Sequence, residues 1–143
     1  MSRRFQITFD ANDTDRLARF WAEVLGYVLQ PPPEGFDSWE AFAVQMGIPE
    51  EDYDRFGAVV DPDGSGQRVL FQRVPEGKTA KNRMHLDIRI TERDMSVEEQ
   101  RRIIDAEAER LVALGATRGA DHTEMGMTHT VMHDPEGNEF CLT

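Results

Sequence analysis

One order of elements occurs twice in this chain of 143 residues. Residues 5–10, Phe-Gln-Ile-Thr-Phe-Asp, alternate apolar and polar, and so do residues 84–90, Met-His-Leu-Asp-Ile-Arg-Ile. Alternation of period two marks a strand with one buried face. An amphipathic helix follows each run. The first is capped at Asn12 or Asp13 and sets Leu17, Phe20, Trp21, Val24 and Leu25 along one stripe. The second opens at Ser96 with Glu99 three residues on, the spacing of a capping box, and runs through Ile104, Ala108, Leu111 and Val112. Both stop at Leu-Gly, Leu25-Gly26 and Leu114-Gly115, where glycine can take the left-handed conformation that ends a helix. Each half then reaches one kind of turn, Asp61-Pro62-Asp63-Gly64 and Asp134-Pro135-Glu136-Gly137, with a strand behind it at 68–73 and 139–142. Four matching elements in one order predict an α+β chain built from two copies of a strand–helix–strand unit.

The copies differ in length at one place. Gly26 to Asp61 spans 35 residues and Gly115 to Asp134 only 19. The excess, an insert at residues 31–55, opens with Pro31-Pro32-Pro33. It continues into a short predicted helix from Asp37 to Met46, with Glu40 three residues after a possible cap. A further helical turn is expected to start at Pro49, since proline suits the first helical position. Phe36, Trp39, Phe42, Met46 and Phe56 make this region either a lid over a cavity or a satellite of the core.

Charge narrows the partners. The formal net charge is -11, and an acidic surface repels a phosphate backbone, so no nucleic-acid partner is expected. Lys78, Lys81 and Arg83 form a local basic set, read as a solvated loop in preference to an anion site. No apolar run reaches the length that spans a bilayer and no signal-peptide pattern precedes the first strand, so the expected location is cytoplasmic with no membrane partner. The single cysteine, Cys141, excludes an internal disulfide framework and a Cys-based zinc cluster.

Strand parity sorts the side chains. Phe5, Ile7 and Phe9, like Met84, Leu86 and Ile88, should face the helices, together with Val69, Phe71, Phe140 and Leu142. The opposite faces then carry Gln6, Thr8, Asp10, Leu70 and Gln72 in the first half, and His85, Asp87, Arg89, Glu139 and Cys141 in the second. The repeat makes Gln6 and His85 equivalent, so a ligand near the local two-fold would touch both. His85 and Asp87, two apart on one strand face, can interact, as in a carboxylate-oriented imidazole. An apolar flank should raise the Cys141 pKa and leave an inert thiol. His122, His129 and His133 crowd the last 22 residues, with His133 expected as a surface imidazole at a strand end.

Phe20-Trp21-Ala22-Glu23-Val24-Leu25-Gly26-Tyr27, Met84-His85-Leu86 and Asp134-Pro135-Glu136-Gly137-Asn138-Glu139-Phe140 resemble the vicinal-oxygen-chelate superfamily of glyoxalase I, extradiol dioxygenases, fosfomycin-resistance enzymes and bleomycin-binding proteins. The Pro-rich insert and Lys81-Asn82-Arg83-Met84-His85-Leu86-Asp87 look most similar to a glyoxalase-like actinobacterial branch. The resemblance implies one glyoxalase-like domain of two tandem βαβββ modules, 1–77 and 78–143. They would form a curved, open mixed-sheet barrel with helices on the outer face. It also implies a homodimer. Metal-using members take ligands from the first and last strands of each module, which here offer Gln6, His85 and Leu70 or Gln72. Cys141 stands at the usual glutamate position, and Glu139 lies two residues earlier on the same face. A thiol suits a hard divalent ion poorly. The favoured expectation is therefore a small-molecule binder of the bleomycin-resistance type that uses no metal. Its ligand-binding set would be Gln6, Thr8, Trp39, Phe42, Gln72, His85, Asp87 and Cys141. The alternatives are a lyase or dioxygenase with one divalent transition metal ion on Gln6, His85 and Glu139, and a dimeric interaction module without catalysis.

Overall fold

The computed structural model describes residue 1 and residues 3–143 and divides into two units, Met1–Gly77 and Lys78–Thr143. In the first unit β1 (Ile7–Ala11) leads to α1 (Thr14–Leu25) and β2 (Val28–Leu29). Then come α2 (Trp39–Met46), a 3-10 turn at Glu50–Asp52, β3 (Phe56–Val60) and β4 (Val69–Arg73). The second unit holds β5 (Asp87–Ile88), α3 (Val97–Ala113), β6 (Thr117–Glu124), β7 (Met127–His133) and β8 (Glu139–Leu142). Each unit folds one four-stranded mixed sheet, in the orders β1-β4-β3-β2 and β5-β8-β7-β6, and neither sheet closes on itself. The first strand of each unit pairs parallel with the last, and the remaining pairs are antiparallel. The fold class is α+β, and the two sheets share one topology.

Local chemistry sets the helix ends. The Asp13 carboxylate accepts from the Arg16 amide at the start of α1, and Gly26 ends it in the left-handed region at φ 66°. Leu17, Phe20, Trp21 and Val24 of α1 are buried, with Trp21 against Phe9 of β1 at 5.0 Å between ring centroids. In α3 the Ser96 hydroxyl accepts from the Glu99 amide, and Ile104, Ala108 and Leu111 are buried. The stripe is narrower than expected, since Val112 is exposed. Val69, Phe71, Phe140 and Leu142 are all buried, so the helix-facing side of each sheet forms its core. Burying each such side chain contributes about 1.5–3 kcal/mol.

The two Asp-Pro turns match down to single atoms. Gly64 N–H donates to the Asp61 carbonyl and Gly137 N–H to that of Asp134, at 3.0 and 2.9 Å. The side chain of each aspartate accepts the amide two residues on. Glycine is required at the fourth position, where φ is 73° at Gly64 and 86° at Gly137.

Several expectations change. Phe5 and Met84 are 67% and 73% exposed and lie outside regular strand, so neither joins the core. Regular pairing of the 84–90 segment is confined to Asp87–Ile88, although Cys141 N–H still donates to the Leu86 carbonyl and Ile90 N–H to that of Thr143. The cap of α2 is Ser38, one residue later than expected, and Pro49 stands just before the 3-10 turn, not as its first residue. Within α2 only Ala43 is buried. Phe36, Trp39 and Phe42 pack edge-to-face among themselves, and Trp39 Nε1–H donates to the Gln30 carbonyl at 2.8 Å.

Two features of the second unit carry no local sequence signal. Gln100 is fully buried: its Nε2 donates to the carbonyls of Met95 and Gly126, and its Oε1 accepts from Thr128 N–H. One glutamine thus ties α3 to the β6–β7 hairpin. The other feature is a β-bulge in β6. Arg118 pairs with Met132, but Asp121 pairs with Thr130, so Gly119 and Ala120 together oppose Val131. Arg118 and Asp121 therefore both point toward α3, where Arg118 donates to Asp105 and Asp121, and Arg101 bonds Asp121, Thr128 and Thr130. A Cβ on Gly119 would stand 3.0 Å from the Val131 carbonyl oxygen.

Replacing Gln100 by alanine strands the buried Thr128 amide and opens a void. The expected loss is about 2–4 kcal/mol by urea denaturation; a loss under about 0.5 kcal/mol would show the tie to be idle.

Candidate functional site

The side of each sheet turned away from its helix carries the polar residues. In the first unit Gln6, Thr8 and Asp10 are exposed, while Leu70 and Gln72 are half-buried. Several of these are already engaged. Gln6 Oε1 accepts from Arg68 Nη1 at 2.9 Å, while Arg68 Nε donates to Gln30 Oε1 at 2.8 Å. Gln72 Nε2 donates to Asp10 Oδ1 at 3.0 Å, and Thr8 stands opposite Leu70. Trp39 and Phe42 sit in the aromatic cluster of the insert, with Trp39 45% exposed.

In the second unit Met132, Phe140 and Leu142 turn inward, so His129, Val131, His133, Glu139 and Cys141 occupy the opposite face. The parallel register sets Asp87 beside Cys141. His85 lies two residues before Asp87, just ahead of β5, and its Nδ1 is 2.9 Å from Asp87 Oδ1. One ligand atom each of His85, Asp87 and Cys141 falls within 4.8 Å of the others. Burial pushes the Cys141 thiol pKa up, and the carboxylate of Asp87 adds to the rise, with Lys81 opposing it. The thiol therefore stays protonated near neutrality and is a poor nucleophile.

Glu139 is placed differently. Its carboxylate accepts from the Asn82 amide at 2.9 Å and pairs with Lys78 Nζ at 3.1 Å, with side-chain exposures of 15% for Glu139 and 18% for Lys78. Burial alone would raise its pKa, but the Asn82 and Glu139 amides and the Lys78 ammonium outweigh burial and hold it down at about 2. Lys78 is thus a half-buried ion-pair partner, where a solvated loop was expected. Its role has no local signal, because 61 residues separate it from Glu139.

The remaining histidines lie on this same face. The bulge turns His122 onto the side of His129, and the two rings stack at 4.9 Å with 20° between planes. His133 is half-buried, with Nδ1 out of solvent and without a hydrogen-bond partner among the described residues, so it is no surface imidazole.

Gln6 is thus engaged by a guanidinium and Glu139 by an ammonium, contacts that a metal ion bound at either residue would have to displace.

A family model described as "Glyoxalase-like domain" matches residues 6–143. No curated protein matches the chain. Among solved structures, a glyoxalase/bleomycin resistance protein/dioxygenase family enzyme from Burkholderia phytofirmans PsJN superposes with a TM-score of 0.60 at 16% identity, over 96% of this chain and 94% of that one. A fosfomycin resistance protein, FosX, from Listeria monocytogenes, complexed with Mn(II) and 1S,2S-dihydroxypropylphosphonic acid, gives 0.61 at 13% identity, over 99% and 89%. A hypothetical protein from S. aureus gives 0.60 at 12%, over 99% and 96%. At such identities the likeness is one of fold.

The depressed Glu139 pKa sets a sign. A carboxylate lowered from 4.5 to about 2 stabilises the fold above pH 4.5, and the contribution fades as pH falls through 2. Glu139→Gln should cost on the order of 1–2 kcal/mol at pH 7 after solvent screening. In urea titrations across the acid range, the gap between variant and wild type should narrow from pH 4.5 downward; a constant gap would assign the loss to packing.

Proposed function

The chain belongs to the glyoxalase-like domain family, and from that premise we propose that it is a small-molecule-binding protein of the bleomycin-resistance type. The observation that carries this reading is the His85–Asp87–Cys141 group on the open sheet face, a compact polar anchor in which His85 and Asp87 are exposed and half-buried Cys141 stands beside Val131. Sites for small ligands join an apolar surface to a few placed polar groups. Gln6, Thr8 and Gln72 supply the equivalent polar positions of the first unit, and Trp39 and Phe42 an aromatic surface. In this reading Gln6 and His85 each contact a ligand, the protein is a homodimer, and binding uses no metal. The engaged states of Gln6 and Glu139 support the last point. The acidic charge of -11 favours neutral or cationic aromatic ligands.

A thermal-shift panel of aromatic and cationic compounds, run without added metal, tests this. At least one compound class should raise the melting temperature by several degrees through mass action. Trp39→Ala should remove most of the shift. Stabilisation only after Mn(II) is added, or a shift untouched by Trp39→Ala and by His85→Ala alike, would overturn the proposal.

A further inference from the structure

We infer that Asp87 holds His85 in the tautomer whose Nε2 is a bare acceptor, so that the site selects aromatic ligands carrying a hydrogen-bond donor. This rests on the binding reading above and adds to it the chemistry of recognition. His85 Nδ1 lies 2.9 Å from Asp87 Oδ1. An ionised carboxylate only accepts, so the hydrogen between the two belongs to Nδ1. A neutral imidazole carries a single N–H, and with that hydrogen on Nδ1 the Nε2 keeps an open lone pair. Asp87 is in this sense a positioning residue, acting through the ring of its neighbour.

The thiol follows the same pattern. The parallel register sets Cys141 beside Asp87, and its S–H bonds to that carboxylate. The hydrogens of His85 and Cys141 are thus both directed at Asp87, and the group offers a ligand lone pairs. The side chains of His85 and Asp87 are 45% and 59% exposed, so these lone pairs are within reach. The carboxylate polarises the imidazole and strengthens Nε2 as an acceptor. A phenolic hydroxyl or an ammonium meets it with a hydrogen. An ether of the same shape sets lone pair against lone pair, and a carboxylate also meets the charge of Asp87. A site shaped to hold an O–H or N–H rejects the analogue without one, because its own polar group is left unpaired. Lys81 is a donor whose charge reaches the thiol, but it is exposed and hydrated, so it answers an acceptor ligand only weakly.

Two measurements on the full chain test this, without added metal and at mildly alkaline pH, which favours neutral imidazole. In the ligand-free protein, long-range nitrogen–proton NMR correlations should show His85 protonated at Nδ1 and bare at Nε2, its signals assigned by their loss in His85→Ala. Titration calorimetry should give naphthol an affinity at least about tenfold above that of its methyl ether, with naphthylmethylammonium on the tighter side. In Asp87→Asn the new amide can donate to Nδ1 and release the other tautomer, so the preference should fall below about threefold. His85→Ala should do the same, and it decides the matter if Asp87→Asn misfolds. Lys81→Met should leave the preference intact. An Nε2–H imidazole in the wild type, equal affinity for naphthol and its ether, a preference that survives both Asp87→Asn and His85→Ala, or one lost in Lys81→Met would each overturn the inference while leaving the binding reading in place. If His85 is protonated at Nδ1 and none of the three naphthalenes binds, the binding reading itself fails and takes the inference with it.

Discussion

Parallel pairing between the first and last strands of each unit governs what the rest of that unit can do. Two parallel neighbours cannot be joined by a tight turn; here the chain leaves the first strand through a helix packed on one face, re-enters at the far edge of the sheet and runs back to the last strand through antiparallel pairs. That choice commits Phe71, Phe140 and Leu142 to the helix and leaves alternate residues for the other side. It also sets the register. Shifted by one residue, β5 would no longer put Asp87 beside Cys141, and the side chain of His85 would move to the helix face. The polar group on the second sheet thus follows from backbone hydrogen bonding.

The parts of the fold that depend on neighbours in sequence were legible. Asp13, Ser96 and Gly26 act where the capping pattern puts them, and the two Asp-Pro turns close with the same bonds. Parity sorted Val69, Phe71, Phe140 and Leu142 correctly. What escaped was pairing between distant residues. Lys78 and Asn82 reach Glu139 across 61 and 57 positions, and nothing near 78 or 82 in the chain announces it. Gln100 looked like one more polar residue on a helix, yet three partners bury it completely. Parity itself erred at the strand start, where Phe5 and Met84 continue the alternation beyond the last paired residue and so gain no cover.

The candidate site was legible as residue types but not as chemistry. His85, Asp87 and Cys141 were each expected on the open side, and the register gathers them. Glu139 shares that side yet serves the fold. Its charge is spent on anchoring residues 78–82, the segment that leads through His85 into β5. A half-buried carboxylate with an ammonium and amide hydrogens around it is held more firmly than a solvated one, so this contact steadies the approach to the site.

The bulge at Gly119 and Ala120 has a consequence for how this hairpin can change in length. One surplus residue is what lets Arg118 and Asp121 turn to the helix together while His122 turns away. Deleting that residue would restore simple alternation and exchange the destinations of the side chains on one flank, driving an imidazole under α3 or a carboxylate out of its guanidinium embrace. A single-residue deletion between Arg118 and Asp121 therefore disturbs one flank of the strand or the other, whereas the bulge itself shows how one surplus residue is absorbed by a kink.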